Sequence, residues 1–285
     1  MIFSKLFDYE YKNSKIDVLL YLIRIQIIFV CIFVPKNSSM RLFTIPNYLT
    51  LLNLSCGVLS SIFIISSNGN VTATTVTIVM VLMLISLIAD FLDGMVARLM
   101  NIGSPIGKEL DSLADCISFG VVPGLMVFAM LNHLSTDFIY ENENLKIAAI
   151  SLFGFLIPAF SALRLAKFNL DEDQATYFKG LATPSNTLFI FSIFSIYYNN
   201  GQIINPTVDP YLLIAISIVF SILLIIDLPL FALKFKGLSW AENYYKYIFL
   251  IITLGLVAWL QVAAIPLIIV LYIIISIIFR KEIIK

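Results

Sequence analysis

The chain has 285 residues, of which 60% are hydrophobic and 13% are charged, and its 18 basic and 18 acidic residues leave no net charge. A soluble domain is about 45–50% apolar and about a quarter charged, so this composition excludes an ordinary soluble protein. The balanced charge excludes a strongly basic surface, so we expect no nucleic-acid partner.

Residues 1–39 are the hardest part of the chain to assign. Residues 18–34 are apolar apart from Arg24 and Gln26, but a membrane span here would put the preceding lysines outside, against the charge rule for membrane proteins. A signal peptide is the other interpretation, although no small-residue cleavage site follows the apolar run. We interpret 1–39 as an N-terminal extension, dispensable or a result of start-site choice, with Met40 beginning the functional unit.

Eight apolar segments follow Met40, each near the ~20 residues that a helix needs to cross the hydrocarbon core. The predicted spans are 46–66, 73–99, 106–131, 147–168, 181–198, 211–233, 245–260 and 263–279. All basic residues after Met40 except Lys146 flank connections and termini on one side, which is therefore predicted to be cytoplasmic. The sequence predicts an all-α, polytopic transmembrane bundle with a six-helix core at 40–233 and two additional helices at 234–285.

Four aspartates lie at the ends of the second and third predicted helices. Asp90 and Asp93 are close to one helical turn apart, as are Asp111 and Asp115. At roughly 100° per residue each pair shares one helix face, and the short connection makes the two helices antiparallel neighbours. An ionisable group inside a membrane helix costs about 2.5–3.5 kcal/mol on insertion scales, so four together indicate a function.

Converging carboxylates repel one another unless a cation lies between them. Oxygen ligands without His or Cys favour magnesium, manganese or calcium over zinc, and two such ions can bind both phosphates of a pyrophosphate. Gly94, Ala97 and Gly107 form a small-residue surface that a nucleotide can approach. Arg98 is a candidate cation for its phosphate, and the alternative partner of Arg98 is Glu109. The alternative is structural, with the aspartates neutralising Arg and Lys in a helix hairpin and Gly94 serving helix packing.

The pattern D-x2-D-G-x2-A-R-x8-G-x3-D-x3-D, which runs from Asp90 to Asp115, is complete in this chain. It resembles the signature of the CDP-alcohol phosphatidyltransferases, an all-helical membrane family. The resemblance implies transfer of a phosphatidyl group from a CDP-activated lipid to an alcohol by a homodimeric enzyme. It implies that two divalent ions, Mg²⁺ or Mn²⁺, are held by Asp90, Asp93, Asp111 and Asp115, that Asp115 is also the base, and that the CDP site is lined by Gly94, Ala97, Arg98 and Gly107.

Four flanking segments, 45–57, 111–123, 164–169 and 178–185, are similar to the members of this family that use serine as acceptor. This implies CDP-diacylglycerol and L-serine as substrates, with membrane lipid around the acyl chains. Arg164 and Lys167 are candidates to bind the lipid phosphate or the serine carboxylate, and the alternative is positive-inside anchoring. Asn53 and Ser118 are either substrate contacts or interhelical hydrogen bonds.

Other functions stay open at this point. With the same chemistry the acceptor would be glycerol 3-phosphate or inositol, and the difference lies in whether Arg164 and Lys167 meet a carboxylate or an acceptor phosphate. A cation transporter would carry acidic residues near the bilayer midplane in two related halves, whereas these aspartates cluster at one face. We expect the plasma membrane of a bacterium, with an organellar membrane as the alternative, and an active site on the cytoplasmic face.

Overall fold

The computed structural model describes residues 44–67, 70–141, 146–170, 177–198, 209–232 and 240–283. The interpretation of residues 1–39 as an extension lies outside the described residues. Within those ranges the α-helices are α1 Ile45–Ser66, α2 Ala73–Leu99, α3 Pro105–Asp115, α4 Val122–Leu134, α5 Leu156–Leu170, α6 Thr183–Tyr198, α7 Pro210–Ile225, α8 Trp240–Leu260, α9 Ala264–Ile278 and α10 Arg280–Ile283. A helix occupies most of each of the eight predicted spans, which confirms the all-α class.

Three helical segments of other types join or extend these helices. A π-helical segment, Cys116–Val121, makes α3 and α4 one continuous rod. A 3-10 helix, Ala149–Phe155, leads into α5, and a second one, Gln261–Ala263, joins α8 to α9. Continuity across these joints matters for the site because α3 ends at Asp115, where the π segment begins.

Five helices of the described chain are long and apolar enough to cross a bilayer. They are Ile45–Ser66, Ala73–Leu99, Pro105–Leu134, Ala149–Leu170 and Asn243–Leu260, and α7 and α9 are shorter apolar helices. Their outward faces carry large apolar side chains such as Phe91, which is 68% exposed. Because a soluble protein does not expose apolar surface on this scale, the chain is a multi-pass membrane protein.

Local sequence explains where several helices begin. Ser104 caps α3, since its Oγ accepts a hydrogen bond from the Gly107 backbone N–H at 3.0 Å and Pro105 follows in the first helical turn. Asp209 caps α7 in the same manner, accepting from the Tyr211 backbone N–H at 2.8 Å. Both caps satisfy donors that the first turn of a helix leaves unpaired.

The predicted sixth span, 211–233, is too long. Helix α7 ends at Ile225, and Pro229–Phe231 forms a strand, β4, paired antiparallel with β3, Tyr177–Lys179. Pro229 cannot donate a helical hydrogen bond and disfavours helix in the residue before it. Gly180, at φ +75°, turns the chain after β3 and donates its backbone N–H to the Leu228 carbonyl at 2.9 Å.

A second short ribbon replaces the start of the predicted fourth span, 147–168. Strand β1, Phe138–Glu141, pairs antiparallel with β2, Lys146–Ala148, and an ion pair joins Lys146 to Glu141. The helical part of this span therefore begins at Ala149 and continues to Leu170. The sequence analysis predicted neither ribbon.

Helix α4 is the centre of the bundle. In the continuous helix Pro105–Leu134 the most apolar stretch is 67% buried, against 33% for α1 and α2. Its packing against the 3-10 segment before α5 is close enough to require glycine, because a Cβ added to Gly154 would lie 2.6 Å from the Gly124 carbonyl oxygen. Asp115 lies at the end of α3, which the π segment joins to this central helix.

Candidate active site

The structure brings three of the four predicted aspartates into one cluster. Carboxylate oxygens of Asp90 and Asp93, from α2, and of Asp111, from α3, all lie within 4.8 Å of one another. The antiparallel hairpin of α2 and α3 produces this approach, since each helix presents its aspartates on the face turned to the other. We call these three residues the carboxylate cluster.

Asp115 adjoins the carboxylate cluster without being part of it. Its carboxyl group lies against that of Asp90, and only 8% of the residue is exposed. Asn53 of α1 donates from Nδ2 to Oδ1 of Asp115 at 3.1 Å. This bond holds one oxygen of the Asp115 carboxylate in place.

Helix α1 supports the site with further hydrogen bonds. Thr50 donates from Oγ1 to Oδ2 of Asp93 at 2.5 Å. Asn53 accepts at Oδ1 from Ser86 Oγ at 2.5 Å, and its backbone carbonyl accepts from Ser118 Oγ at 3.0 Å. In this structure Asn53 and Ser118 therefore make interhelical hydrogen bonds, the second of the two interpretations given from sequence.

Sequence reasoning missed Thr50 and Ser86 as supports of the site. The available signal was spacing, because Thr50 precedes Asn53 by three residues and shares its helix face. Ser86 precedes Asp90 by four residues and shares a face with it in the same way.

The residues of the cluster fit a divalent cation. The donors are all carboxylate oxygens, which Mg²⁺ and similar hard cations prefer, and Oδ1 of Asp111 is buried with no hydrogen-bond partner among the described residues. Neither of the two salt bridges found in the described part of the chain involves these aspartates. Pairing with Arg or Lys, the structural alternative, therefore does not account for the cluster where the structure is described.

A cavity of about 220 Å³ opens beside the cluster. Three of the four residues predicted to line the CDP site are in its wall. Its lining comprises Pro46, Asn47, Thr50, Asp93, Gly94, Ala97, Ile102, Gly103, Ser104, Gly107, Lys108 and Asp111.

Gly94 and Gly107, two of the three glycines in this wall, differ in their surroundings. A Cβ added to Gly94 would meet only Arg98 Nη2, at 3.9 Å, so no neighbouring helix requires a glycine there. A Cβ on Gly107 would lie 3.1 Å from Ser104 Oγ and 3.2 Å from Asn47 Oδ1. An alanine in place of Gly107 would therefore require small shifts of these two side chains, whereas Gly94 has room for a Cβ.

Arg98 lies one turn beyond Gly94, at the exposed end of α2. Its Nε donates to the Gly94 carbonyl at 2.9 Å, and its Nη2 lies 3.9 Å from the position of a Cβ added to Gly94, a residue of the cavity wall. The other guanidinium donors are left for an anion, the interaction that Arg favours with phosphate.

The structure separates the two cations of α5 that the sequence grouped together. Arg164 is 8% exposed and lies over the Phe168 ring at 5.7 Å, and its Nε has no hydrogen-bond partner among the described residues. Lys167 is exposed and donates to Asp227 Oδ1 at 2.6 Å and to the Ile225 carbonyl at 3.2 Å. Lys167 thus ties α5 to the end of α7, and Arg164 points into the protein.

The sequence of this chain is similar to those of known proteins. The model of the CDP-alcohol phosphatidyltransferase family matches residues 43–230. A Saccharomyces cerevisiae protein named CDP-diacylglycerol–serine O-phosphatidyltransferase is 32% identical over 165 residues, which are 55% of this chain and 55% of that protein. A Helicobacter pylori protein of the same name is 29% identical over 218 residues, 76% of this chain and 82% of that one. An archaetidylserine synthase of Methanothermobacter thermautotrophicus is 33% identical over 153 residues, 53% of this chain and 57% of the relative. The match therefore spans about half the length of the yeast and archaeal relatives.

Proposed function

This chain belongs to the CDP-alcohol phosphatidyltransferase family, and on that premise we propose that it transfers the phosphatidyl group of CDP-diacylglycerol to the hydroxyl of L-serine. The products are phosphatidylserine and CMP, so the reaction is a step of phospholipid biosynthesis. The observation that carries the proposal is the convergence of Asp90, Asp93 and Asp111 beside a cavity of nucleotide-compatible lining. The names of the relatives support serine as the acceptor.

The carboxylate cluster and Asp115 are proposed to hold two divalent ions, Mg²⁺ or Mn²⁺. The all-oxygen donor set and the unpartnered Oδ1 of Asp111 support this assignment. When bound, such ions neutralise the charge of the pyrophosphate and of the departing phosphate. Without a cation, three carboxylates this close would repel one another in surroundings of low dielectric constant.

The cavity is proposed to bind the CDP group. Gly94, Ala97 and Gly107 give it a wall with little side-chain bulk, so the nucleotide can lie against the backbone. Arg98, beside this wall, would pair with a phosphate oxygen. The acyl chains would stay in the bilayer beside the apolar outer face of α2, where Phe91 is 68% exposed.

Asp115 is proposed to accept the proton of the attacking alcohol. The serine oxygen forms a bond to the phosphorus of the phosphatidyl group, and the bond from that phosphorus to the bridging oxygen breaks. CMP leaves with the electron pair of the broken bond, and the hydroxyl proton passes to Asp115. Asn53 keeps Asp115 oriented for this step through its 3.1 Å hydrogen bond, so the chain contributes mainly by positioning.

The partners of the two α5 cations favour an acceptor with a single negative charge. Lys167 is already paired with Asp227, which leaves the buried Arg164 as the α5 cation for an acceptor. One guanidinium balances a serine carboxylate, whereas the phosphate of glycerol 3-phosphate brings up to two charges. The transporter alternative is disfavoured because, within the described ranges, one carboxylate cluster of three or more groups is found.

We further propose that the site opens to the cytoplasm at the plasma membrane of a bacterium, and that the enzyme is a homodimer. The distribution of Lys and Arg supports the orientation, and a cytoplasmic site gives access to soluble serine. The division into a core at 40–233 and two added helices at 234–285 is part of the same proposal.

The function is tested by transfer of labelled L-serine into lipid by the purified protein in detergent. Reactions contain CDP-diacylglycerol, with and without Mg²⁺ or Mn²⁺, and glycerol 3-phosphate and inositol serve as parallel acceptors. We expect metal-dependent formation of phosphatidylserine and CMP. Product from another alcohol alone would refute serine as acceptor, and no transfer by folded protein to any acceptor would refute the activity.

A further inference from the structure

Polar side chains in α5 and α6 are buried without a hydrogen-bond partner among the described residues. Ser161 Oγ and Tyr198 Oη lie farther from the site end of these helices, and those nearer to it are Nε of Arg164, Oγ1 of Thr183 and both amide atoms of Asn186. The last three residues are 8%, 1% and 0% exposed, respectively. Burying such groups unpaired costs free energy, so native proteins rarely keep them without a partner. This set lies outside the cavity described above.

Both helices pack on the π-helical segment that follows Asp115. In α6, Thr187 donates from Oγ1 to the Phe119 carbonyl at 3.0 Å. In α5, Ser161 is so close that a Cβ added to Gly120 would lie 3.1 Å from its Cβ. These contacts fix the positions, or levels, of α5 and α6 along the axis of the continuous helix Pro105–Leu134.

One helical turn toward the site end brings Thr183 to the level of Asp115, and Asn186 follows three residues later on the same face of α6. Asp115 precedes Phe119 by four residues, and Thr183 precedes Thr187 by four. Helix α5 runs in the opposite direction, because its last turn meets the start of α3 where Lys108 Nζ donates to the Asn169 carbonyl at 2.8 Å.

Arg164 therefore comes to this level from the other side, three residues after Ser161. A turn rises about 5.4 Å in each helix, so Asp115, Arg164 and Thr183 are brought close to one level. Arg164 is near enough to Asp115 to interact with it electrostatically.

We propose that Arg164, Thr183 and Asn186 form the acceptor subsite, which binds the head group of an amino-acid alcohol next to Asp115. The inference rests on the proposed function and adds residues that determine acceptor specificity. Arg164 would hold the carboxylate. Thr183 Oγ1 and Asn186 Oδ1 accept hydrogen bonds from the ammonium group, and Asn186 Nδ2 donates to the carboxylate. This places the acceptor hydroxyl toward Asp115.

The decisive variants are Asn186→Leu and Thr183→Val, which remove the polar atoms while keeping the number and branching of the side-chain heavy atoms. Because the replaced groups have no described partner, we expect thermal stability in detergent to be maintained or raised. The KM for serine is expected to rise on the order of 10–100-fold, since hydrogen bonds to charged groups are lost. The KM for CDP-diacylglycerol should change by less than about twofold, since the nucleotide cavity is separate. Ser192→Ala is the matched control, because Ser192 is buried in the same helix and bonded to its own Phe189 carbonyl.

A second acceptor makes the test specific for the ammonium contact. 3-Hydroxypropionate has the hydroxyl and carboxylate of serine but no amino group. If the subsite is assigned correctly, Thr183→Val reduces serine transfer and leaves the slower transfer to 3-hydroxypropionate unchanged. Asn186→Leu also removes the Nδ2 contact with the carboxylate, so it reduces transfer to both acceptors, and transfer to serine by more. Equal losses with both acceptors, or an unchanged KM for serine in both variants, would overturn the inference. If one variant does not fold, the other decides.

Failure of this inference is distinct from failure of the proposed function. If the proposed function is wrong, the unaltered protein transfers no phosphatidyl group to serine. An active unaltered protein together with variants of normal serine KM refutes the subsite alone.

Discussion

Replacing Gly94 with alanine separates a substrate-binding role of this residue from a role in helix packing. Gly94 lies inside α2 and lines the cavity, yet a Cβ there would meet only Arg98 Nη2 at 3.9 Å. The added methyl group therefore has room in the protein alone. It projects into the space that we assign to the nucleotide.

The two consequences have opposite signs. Glycine inside a helix is about 0.5–1 kcal/mol less favourable than alanine, so Gly94→Ala should raise the free energy of unfolding by about that amount. Forcing a methyl group into a filled contact costs about 1–3 kcal/mol, which corresponds to a roughly 5- to 150-fold rise in the KM for CDP-diacylglycerol. The KM for serine should change little.

The assay combines thermal unfolding in detergent with initial rates at varied CDP-diacylglycerol. Gly255→Ala is the matched control, since Gly255 lies inside α8 with no atom within 4 Å of an added Cβ; it should be stabilised without a kinetic change. Gly57→Ala shows the result expected when a glycine is required for helix packing, because a Cβ there would lie 2.8 Å from the Ser118 Cα. That variant should be destabilised.

Two results would refute the reasoning about Gly94. An unchanged KM for CDP-diacylglycerol in a stable Gly94→Ala protein would remove this wall from the nucleotide site. Destabilisation like that of Gly57→Ala would mean that Gly94 serves packing, as the structural interpretation of the sequence held.

Further substitutions test other parts of the site. Asp111→Asn should weaken Mn²⁺ binding at least about tenfold, because a metal-ligating carboxylate is lost; an unchanged Mn²⁺ electron paramagnetic resonance titration would contradict this. Asp115→Asn should abolish turnover while the protein remains folded, and near-normal rates of serine transfer would remove Asp115 from the base role. Asn53→Leu should lower kcat with little change in either KM, because Asn53 orients Asp115 without contacting substrate; a rise in KM alone would argue otherwise. Lys167→Ala should lower the free energy of unfolding by less than about 1 kcal/mol, because exposed ion pairs contribute no more than that. A large change in the KM for serine would show that Lys167 binds the acceptor.

The helices were predictable from sequence because each depends on a local apolar run. The ribbons were not, because a strand of three residues is defined by its partner. Tyr177–Lys179 pairs with Pro229–Phe231, about fifty residues later in the chain. Pro229 did carry a local signal for the end of α7, and weighting it above hydropathy would have placed that end before residue 233.

The aspartates of the site were predictable because helical spacing places them on facing sides of one hairpin. Their supports were not. Hydroxyl side chains are common in membrane helices, and most can bond a carbonyl of their own helix, as Thr50 Oγ1 does at 3.1 Å from the Pro46 carbonyl. A sequence does not tell that Thr50 also reaches Asp93 across the interface. Lys167 illustrates the same limit, because its partner Asp227 lies 60 positions away. The sequence indicated a cation near the site but not which of the two α5 cations was already neutralised.

The π-helical segment shows how a local sequence feature leads to a long-range contact. Pro123 has no backbone N–H, so the Phe119 carbonyl, four residues earlier, loses the donor that an α-helix would supply. The helix widens over Cys116–Val121, as π turns do at functional sites, and the Phe119 carbonyl accepts from Thr187 Oγ1 instead. That bond aligns α6 with Asp115 and thereby brings Thr183 to the level of the proposed base. Pro123, which removes one backbone donor from the continuous helix, thus contributes to the positioning of the acceptor side of the site.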